Sequence, residues 1–223
     1  MILKILIIKN VNMKISVVMP SYLSDYHGGA KNRKEKFHRA VNSFNSQSYP
    51  DKELIIVSDG CSITNNEILR YSTSPNVKFF YLPKQEMFSG YVRQYGCEQA
   101  TGDYICYLDT DDYLGNNHLS NLANSCMCNP NFDWFYFDDT IIYRFHPIYN
   151  KILNSENRNV LIQHGSIGTS AIIHKNNPDF SWNNCNGYGH DWTFIDKIKN
   201  RPNLKIKGAE YFVCHIPHSS VDC

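Results

Sequence analysis

Short apolar runs separated by amphipathic stretches set the pattern of this chain. Residues 15–19, Ile-Ser-Val-Val-Met, are nearly continuous in apolar side chains, the pattern of a strand covered on both faces. Pro20-Ser21-Tyr22 stops that run. Phe37, Ala40, Val41 and Phe44 recur at helical spacing, which predicts a helix over 33–47 that Tyr49-Pro50 closes. A second buried strand follows at 53–58 and ends in Asp59-Gly60. A helix over 64–71, a strand over 77–82 and a helix over 89–100 come next, and Thr101-Gly102 terminates the last. The fourth strand begins at Tyr104 and runs out into Asp109-Thr110-Asp111-Asp112, with a helix over 116–128 behind it.

Strand and helix therefore alternate through the first half, which predicts a mostly parallel sheet with right-handed crossovers. After residue 131 the pattern changes. Residues 132–137 and 140–145 read as strands around Asp138-Asp139, 150–160 as a polar loop, and 166–174 as another strand. Gly187-Tyr-Gly-His-Asp191 is a glycine-rich loop leading into a helix over 192–199, and 204–213 reads as one final strand before Cys214-His215. No repeat or linker divides the chain, so one domain over 1–223 is expected, with a nucleotide-binding half at 14–115 and an acceptor-binding half at 131–223.

Composition narrows this picture. The 42% hydrophobic and 19% charged content over 223 residues suits a globular chain with a real core. A net charge of +1 argues against a general nucleic-acid binder, which carries a basic face or stripe. The eight cysteines are scattered without a Cys-x-x-Cys pair, the pattern of reduced thiols in a cytosolic protein rather than of a zinc site. The apolar start is broken by lysines and followed by no small-residue cleavage site, and Met13 is an alternative first residue. No run reaches the ~20 apolar residues of a membrane span.

The chemistry gathers at the strand ends. In open α/β sheets, ligands sit beyond the carboxyl ends of the strands. The first strand delivers Pro20, Ser21 and Tyr22 there, the second Asp59, and the fourth Asp109 and Asp111. Taken singly, each is also an ordinary turn or cap residue. Taken together they suit a nucleotide: Tyr22 stacks on a base, Asp59 accepts an imide N–H, and Arg93 early in its helix reaches a pyrophosphate. A hard cation fits the Asp109–Asp111 pair, since Mg²⁺ takes one or two carboxylates plus substrate phosphates.

The ordered set resembles a family 2 glycosyltransferase with the GT-A fold. It comprises residues 15–22, residues 53–60, Arg93 with Gly96, residues 100–112, and Gly189-His-Asp-Trp192. The resemblance implies an α/β GT-A domain and an inverting transfer of a hexosyl or N-acetylhexosaminyl group from a nucleotide-diphosphate sugar. UDP is the favoured carrier and dTDP or GDP the alternatives. It implies Mn²⁺ or Mg²⁺ on Asp111 and Asp109, with His215 a further ligand. Pro20, Ser21, Tyr22 and Asp59 fall near the base, Asp109 near the ribose and Arg93 near the diphosphate. Asp191 takes the part of catalytic base. The acceptor is a glycan or lipid-linked glycan, which would bring the enzyme to the inner membrane face from the cytoplasm. Two departures stand out: Gln94 follows Arg93 where the family has Asn, and His190 precedes Asp191 where an acid is common. Trp182 and Trp192 are candidates for a sugar platform or for core packing. A sugar nucleotidyltransferase and a non-catalytic nucleotide- or sugar-binding module are the competing readings.

Overall fold

The computed structural model describes residues 13–26, 29, 32–85, 89–146 and 151–214. In chain order the elements are β1 (Ile15–Ser21), α1 (Arg33–Asn45), β2 (Lys52–Asp59), α2 (Ser62–Ile68), a 3₁₀ turn (Leu69–Tyr71), β3 (Val77–Leu82), α3 (Gly90–Glu98), β4 (Tyr104–Tyr107), β5 (Tyr113–Leu114) and α4 (His118–Cys128). There follow β6 (Trp134–Phe137), β7 (Asp139–His146), β8 (Lys151–Arg158), a second 3₁₀ turn (Thr169–Ala171), β9 (Ile172–Lys175), α5 (His190–Ile198), β10 (Asn203–Ile206) and β11 (Tyr211–Val213).

Seven strands form the central sheet in the order β10-β6-β9-β4-β1-β2-β3. β1 pairs in parallel with both β2 and β4, and β2 with β3, so the predicted parallel half is observed. β9 runs antiparallel to its neighbours β4 and β6. The register sets Pro20 beside Val57 and Ser21 beside Ser58. The carboxyl ends of β1, β2 and β4 therefore finish side by side.

The apolar runs are buried as their lack of alternation predicted. Ile15, Val17, Val18, Leu54, Ile55, Ile56 and Val57 have essentially no exposed surface. Phe37, Ala40, Val41 and Phe44 of α1 are buried on a single stripe, the face that packs on the sheet. Gly96 lets α3 approach β1 closely, because a β-carbon there would come within 2.5 Å of Val18 Cγ1.

The amino end of the same sheet is stapled by one buried acid. Glu53 Oε1 accepts from Ser16 Oγ (2.6 Å), Thr101 N (2.7 Å) and Thr101 Oγ1 (2.9 Å). Lys78 Nζ (2.7 Å) and Lys14 Nζ (3.1 Å) meet Oε2. Burial alone would push this carboxyl up, but the Lys78, Ser16 and Thr101 hydrogen bonds outweigh it and hold it down at about 2.

Several expectations for the second half are corrected. Residues 150–160, expected to be a polar loop, are largely strand β8, which pairs antiparallel with β7 at one edge of a second sheet, β5-β11-β7-β8. The expected single strand over 204–213 is two, β10 and β11, in different sheets, separated by a turn in which Gly208 takes φ +80°. The strand expected over 166–174 shortens to β9 behind the 3₁₀ turn at Thr169–Ala171, and the helix over 64–71 ends in 3₁₀ geometry. The short β5 had no counterpart in the sequence reading.

Candidate active site

The inner floor of the site is built where β4 ends. Leu108 N donates to Val18 O (3.1 Å), extending the pairing of β4 with β1 just past the strand's end. The chain then turns, with Asp112 N donating to Asp109 O (3.1 Å). Tyr211 of β11 holds this turn twice: its hydroxyl accepts from Asp109 N (3.1 Å) and donates to Asp112 Oδ2 (2.9 Å). Asp112 Oδ1 also accepts from Cys214 N (2.7 Å), and Arg39 of α1 donates to the Asp111 carbonyl (2.7 Å). The three acids of Asp109-Thr110-Asp111-Asp112 thus divide their work. Asp112 is buried and anchors the chain after β11, while Asp109 and Asp111 are each only partly covered.

Charge is crowded here. Burial pushes the Asp109 carboxyl up, Arg93 opposes, and Asp191 and Asp111 add to the rise. Asp112 is pushed well above the carboxylate range by burial, then by Asp111 and Asp109. Such mutual repulsion is what a cation relieves, and the donor set fits Mg²⁺ or Mn²⁺ held by carboxylates together with substrate phosphates. No group of three or more His, Cys, Asp or Glu side chains converges as a metal cage among the described residues. His215 lies outside the described residues.

Arg93 is not aimed at open solvent. It is 3% exposed, and its guanidinium donates to Asp109 Oδ1 (2.7 Å), Ser89 Oγ and His190 Nε2 (3.1 Å), with the Trp182 ring centroid 5.2 Å away. The cation expected near the diphosphate thus grips Asp109, at the end of β4. Asp191 sits in the first turn of α5. Its Oδ1 accepts from buried Thr169 Oγ1 (2.9 Å) and lies 3.2 Å from His190 Nε2. Arg93 therefore joins Asp109 to the neighbourhood of Asp191, two residues 82 positions apart in the chain.

The outer rim is looser. Asp59, 6% exposed, pairs with Lys84 Nζ and accepts from Gln85 N (3.3 Å). Lys84 Nζ also lies 4.6 Å from the Tyr22 ring centroid, so Tyr22, Lys84 and Asp59 form one cluster. Gly60, at φ +65°, is required: a β-carbon there would fall 2.4 Å from Lys84 N. Pro20 is half-buried at the end of β1. Ser21 turns inward, its hydroxyl 3.1 Å from Thr64 Oγ1. Cys61 ties the two loops together, its sulfur near Leu23 N (3.3 Å), Ser24 Oγ (3.3 Å) and Thr64 N (3.5 Å). The Trp182 indole is core, stacked on Phe194 at 4.2 Å, and Trp192 is half-buried with His164 edge-on at 5.7 Å.

Sequence reasoning missed Lys84, Ser89 and Thr169 and gave His190 no task. Only Lys84 had a readable signal, a cation just past the third strand beside a strand that ends in an acid.

Comparison with known proteins places this arrangement. The family model described as "Glycosyl transferase family 2" matches residues 16–170. An uncharacterized glycosyltransferase of Haemophilus influenzae is 31% identical over 117 residues, covering 52% of this chain and 43% of that protein. A Staphylococcus aureus poly(ribitol-phosphate) beta-N-acetylglucosaminyltransferase, TarS, is 28% identical over 114 residues, 50% of this chain and 18% of that one. The chain thus spans less than half the length of these curated relatives. The crystal structure of S. aureus TarS 1-349 in complex with UDP-GlcNAc superposes with a TM-score of 0.66 at 21% identity, covering 91% of this chain and 58% of that one. The fold is accordingly of the GT-A type.

Proposed function

The chain belongs to glycosyl transferase family 2, and from that premise we propose that it moves a sugar from a UDP-linked donor to a hydroxyl of a glycan or lipid-linked glycan, inverting the anomeric carbon. One observation carries the reading. Asp59, Asp109 and Asp111 stand at the carboxyl edge of β2 and β4, the parallel strands on either side of β1, and buried Arg93 ties Asp109 to the neighbourhood of Asp191. A nucleotide-diphosphate sugar fits such an edge. The Tyr22 ring covers the base, and Asp59 accepts its imide N–H once Lys84 swings aside. The acceptor hydroxyl attacks opposite the leaving diphosphate while Asp191 takes its proton. Asp109 and Asp111 would hold a divalent cation, which when bound stabilises the leaving diphosphate as a Lewis acid. Asp191 stands in the first turn of α5, beside the helix's unpaired backbone N–H groups.

The donor identity draws support from what TarS is crystallised with, UDP-GlcNAc, which favours a hexosamine or hexose over other groups. Among the described residues no helix is long and apolar enough to cross a membrane, so a lipid-linked acceptor would be met from its headgroup side. The test is release of UDP from a panel of UDP-sugars with Mn²⁺, with and without acceptor. UDP release that accelerates with a glycan acceptor is expected. Consumption of UTP with release of pyrophosphate would show a nucleotidyltransferase instead, and binding without turnover a non-catalytic module.

A further inference from the structure

The imidazole of His190 is surrounded by partners with incompatible demands. Nδ1 lies 3.0 Å from Gly187 O, and a carbonyl only accepts, so Nδ1 carries a proton. Nε2 lies 3.1 Å from Arg93 on α3, which only donates, and 2.9 Å from Ser89 Oγ at the start of that helix. It also lies 3.2 Å from Asp191 Oδ1, which only accepts while ionised. The Trp182 ring closes another side, its centroid 6.3 Å away. Nε2 can serve Arg93 with its lone pair or Asp191 with a proton, never both. The charged groups facing it include Arg93 from α3 and Asp191 from its own helix, with Asp109 behind Arg93.

We propose that His190 is the positioning residue that couples the donor side of the cleft to the base. As a neutral imidazole it accepts from Arg93 and Ser89, which keeps the guanidinium seated on Asp109 and leaves Asp191 to Thr169 and the acceptor hydroxyl. With a second proton it donates to Asp191, engaging the base, and repels Arg93 from its seat. The inference rests on the reading of Asp191 as the base. It explains what a histidine does beside that residue: a carboxylate at position 190 would pair with Arg93 at every working pH, whereas the imidazole releases it as the medium acidifies.

The test is the pH profile of kcat for UDP-sugar transfer by the wild type, His190→Ala and His190→Gln, with UDP binding measured calorimetrically on each. Gln presents a carbonyl oxygen near the Nε2 position and does not titrate. His190→Ala should lose about 10–100-fold in kcat with donor KM within about threefold. His190→Gln should keep kcat within about fivefold at neutral pH and lose one acidic limb of the wild-type profile, while a limb at lower pH remains. A His190→Gln enzyme with the wild-type limb overturns the inference, as does a His190→Ala enzyme with wild-type kcat. Both of those leave the glycosyltransferase reading intact. A wild type that binds neither UDP nor any UDP-sugar overturns that reading and this inference together.

Discussion

The two ends of the parallel sheet treat carboxylates in opposite ways. At the amino end, Glu53 is saturated by Ser16, Thr101, Lys14 and Lys78, and its carboxyl is held down at about 2. At the carboxyl end, Asp109 and Asp112 crowd one another and Asp111, and both are pushed up. Strands of one parallel sheet supply both, β2 giving Glu53 and β4 leading into Asp109 and Asp112. One end satisfies its charge and closes the sheet; the other leaves charge to be satisfied by something that arrives. Within the carboxyl end the contrast repeats on a smaller scale, between the Arg93–Asp109 pair, whose cation is buried, and the Lys84–Asp59 pair, whose cation is half-exposed. A buried cation held by several partners is scaffold, whereas a half-exposed one is exchangeable.

The largest expected effect comes from breaking the scaffold pair. Arg93→Met should cost roughly 1–3 kcal/mol of stability and abolish transfer, seen by chemical denaturation and a UDP-release assay. Next is Asp191→Asn. It should lower kcat by about 10²–10⁴-fold while UDP binding and the unfolding midpoint stay near wild type; equal losses in binding and turnover would remove Asp191 from its role.

Glu53→Gln sharpens the comparison from the other end. It should lose about 2–3 kcal/mol and leave the KM for donor unchanged. The pH dependence has a definite sign. Glu53 has a folded pKa of about 2 against an ordinary 4.5, so its stabilisation is complete above 4.5 and disappears as pH falls towards 2. Asp109 works the other way: its folded carboxyl binds protons more readily, so it stabilises on acidification. The variant should therefore show a shallower acid limb of stability than the wild type. The smallest effect belongs to Lys84→Ala, expected to change stability by under about 1 kcal/mol and to shift UDP affinity only a few-fold, read by titration calorimetry.

The parallel half was legible in the sequence because its strands are covered on both faces and therefore read as unbroken apolar runs. The edge strand β8 was not. Asn154, Ser155, Glu156 and Asn157 are exposed or half-exposed, so the apolar–polar alternation that marks a strand is absent. β10 and β11 merged in the reading because a single glycine turn, at Gly208, separates two strands of different sheets. In the site, Asp59, Asp109, Asp111 and Asp191 were visible as acids at strand ends and a helix start. Their partners were not, since Tyr211 and Thr169 reach the acids only through tertiary packing, and Ser89 meets Arg93 and His190 in the same way. Arg93 was legible as a functional cation, but its position beneath Asp109 was visible only in three dimensions.

The central claim is that the crowded carboxylates at the end of β4 form a cation-dependent nucleotide site. Calorimetric titration of UDP with and without Mn²⁺, on the wild type and on Asp111→Asn, tests it most directly. Mn²⁺-dependent binding in the wild type that is lost in Asp111→Asn, with the variant's unfolding midpoint unchanged, is the predicted result. UDP binding that ignores both the metal and the substitution, or no binding of UDP, dTDP or GDP under any metal condition, would contradict it.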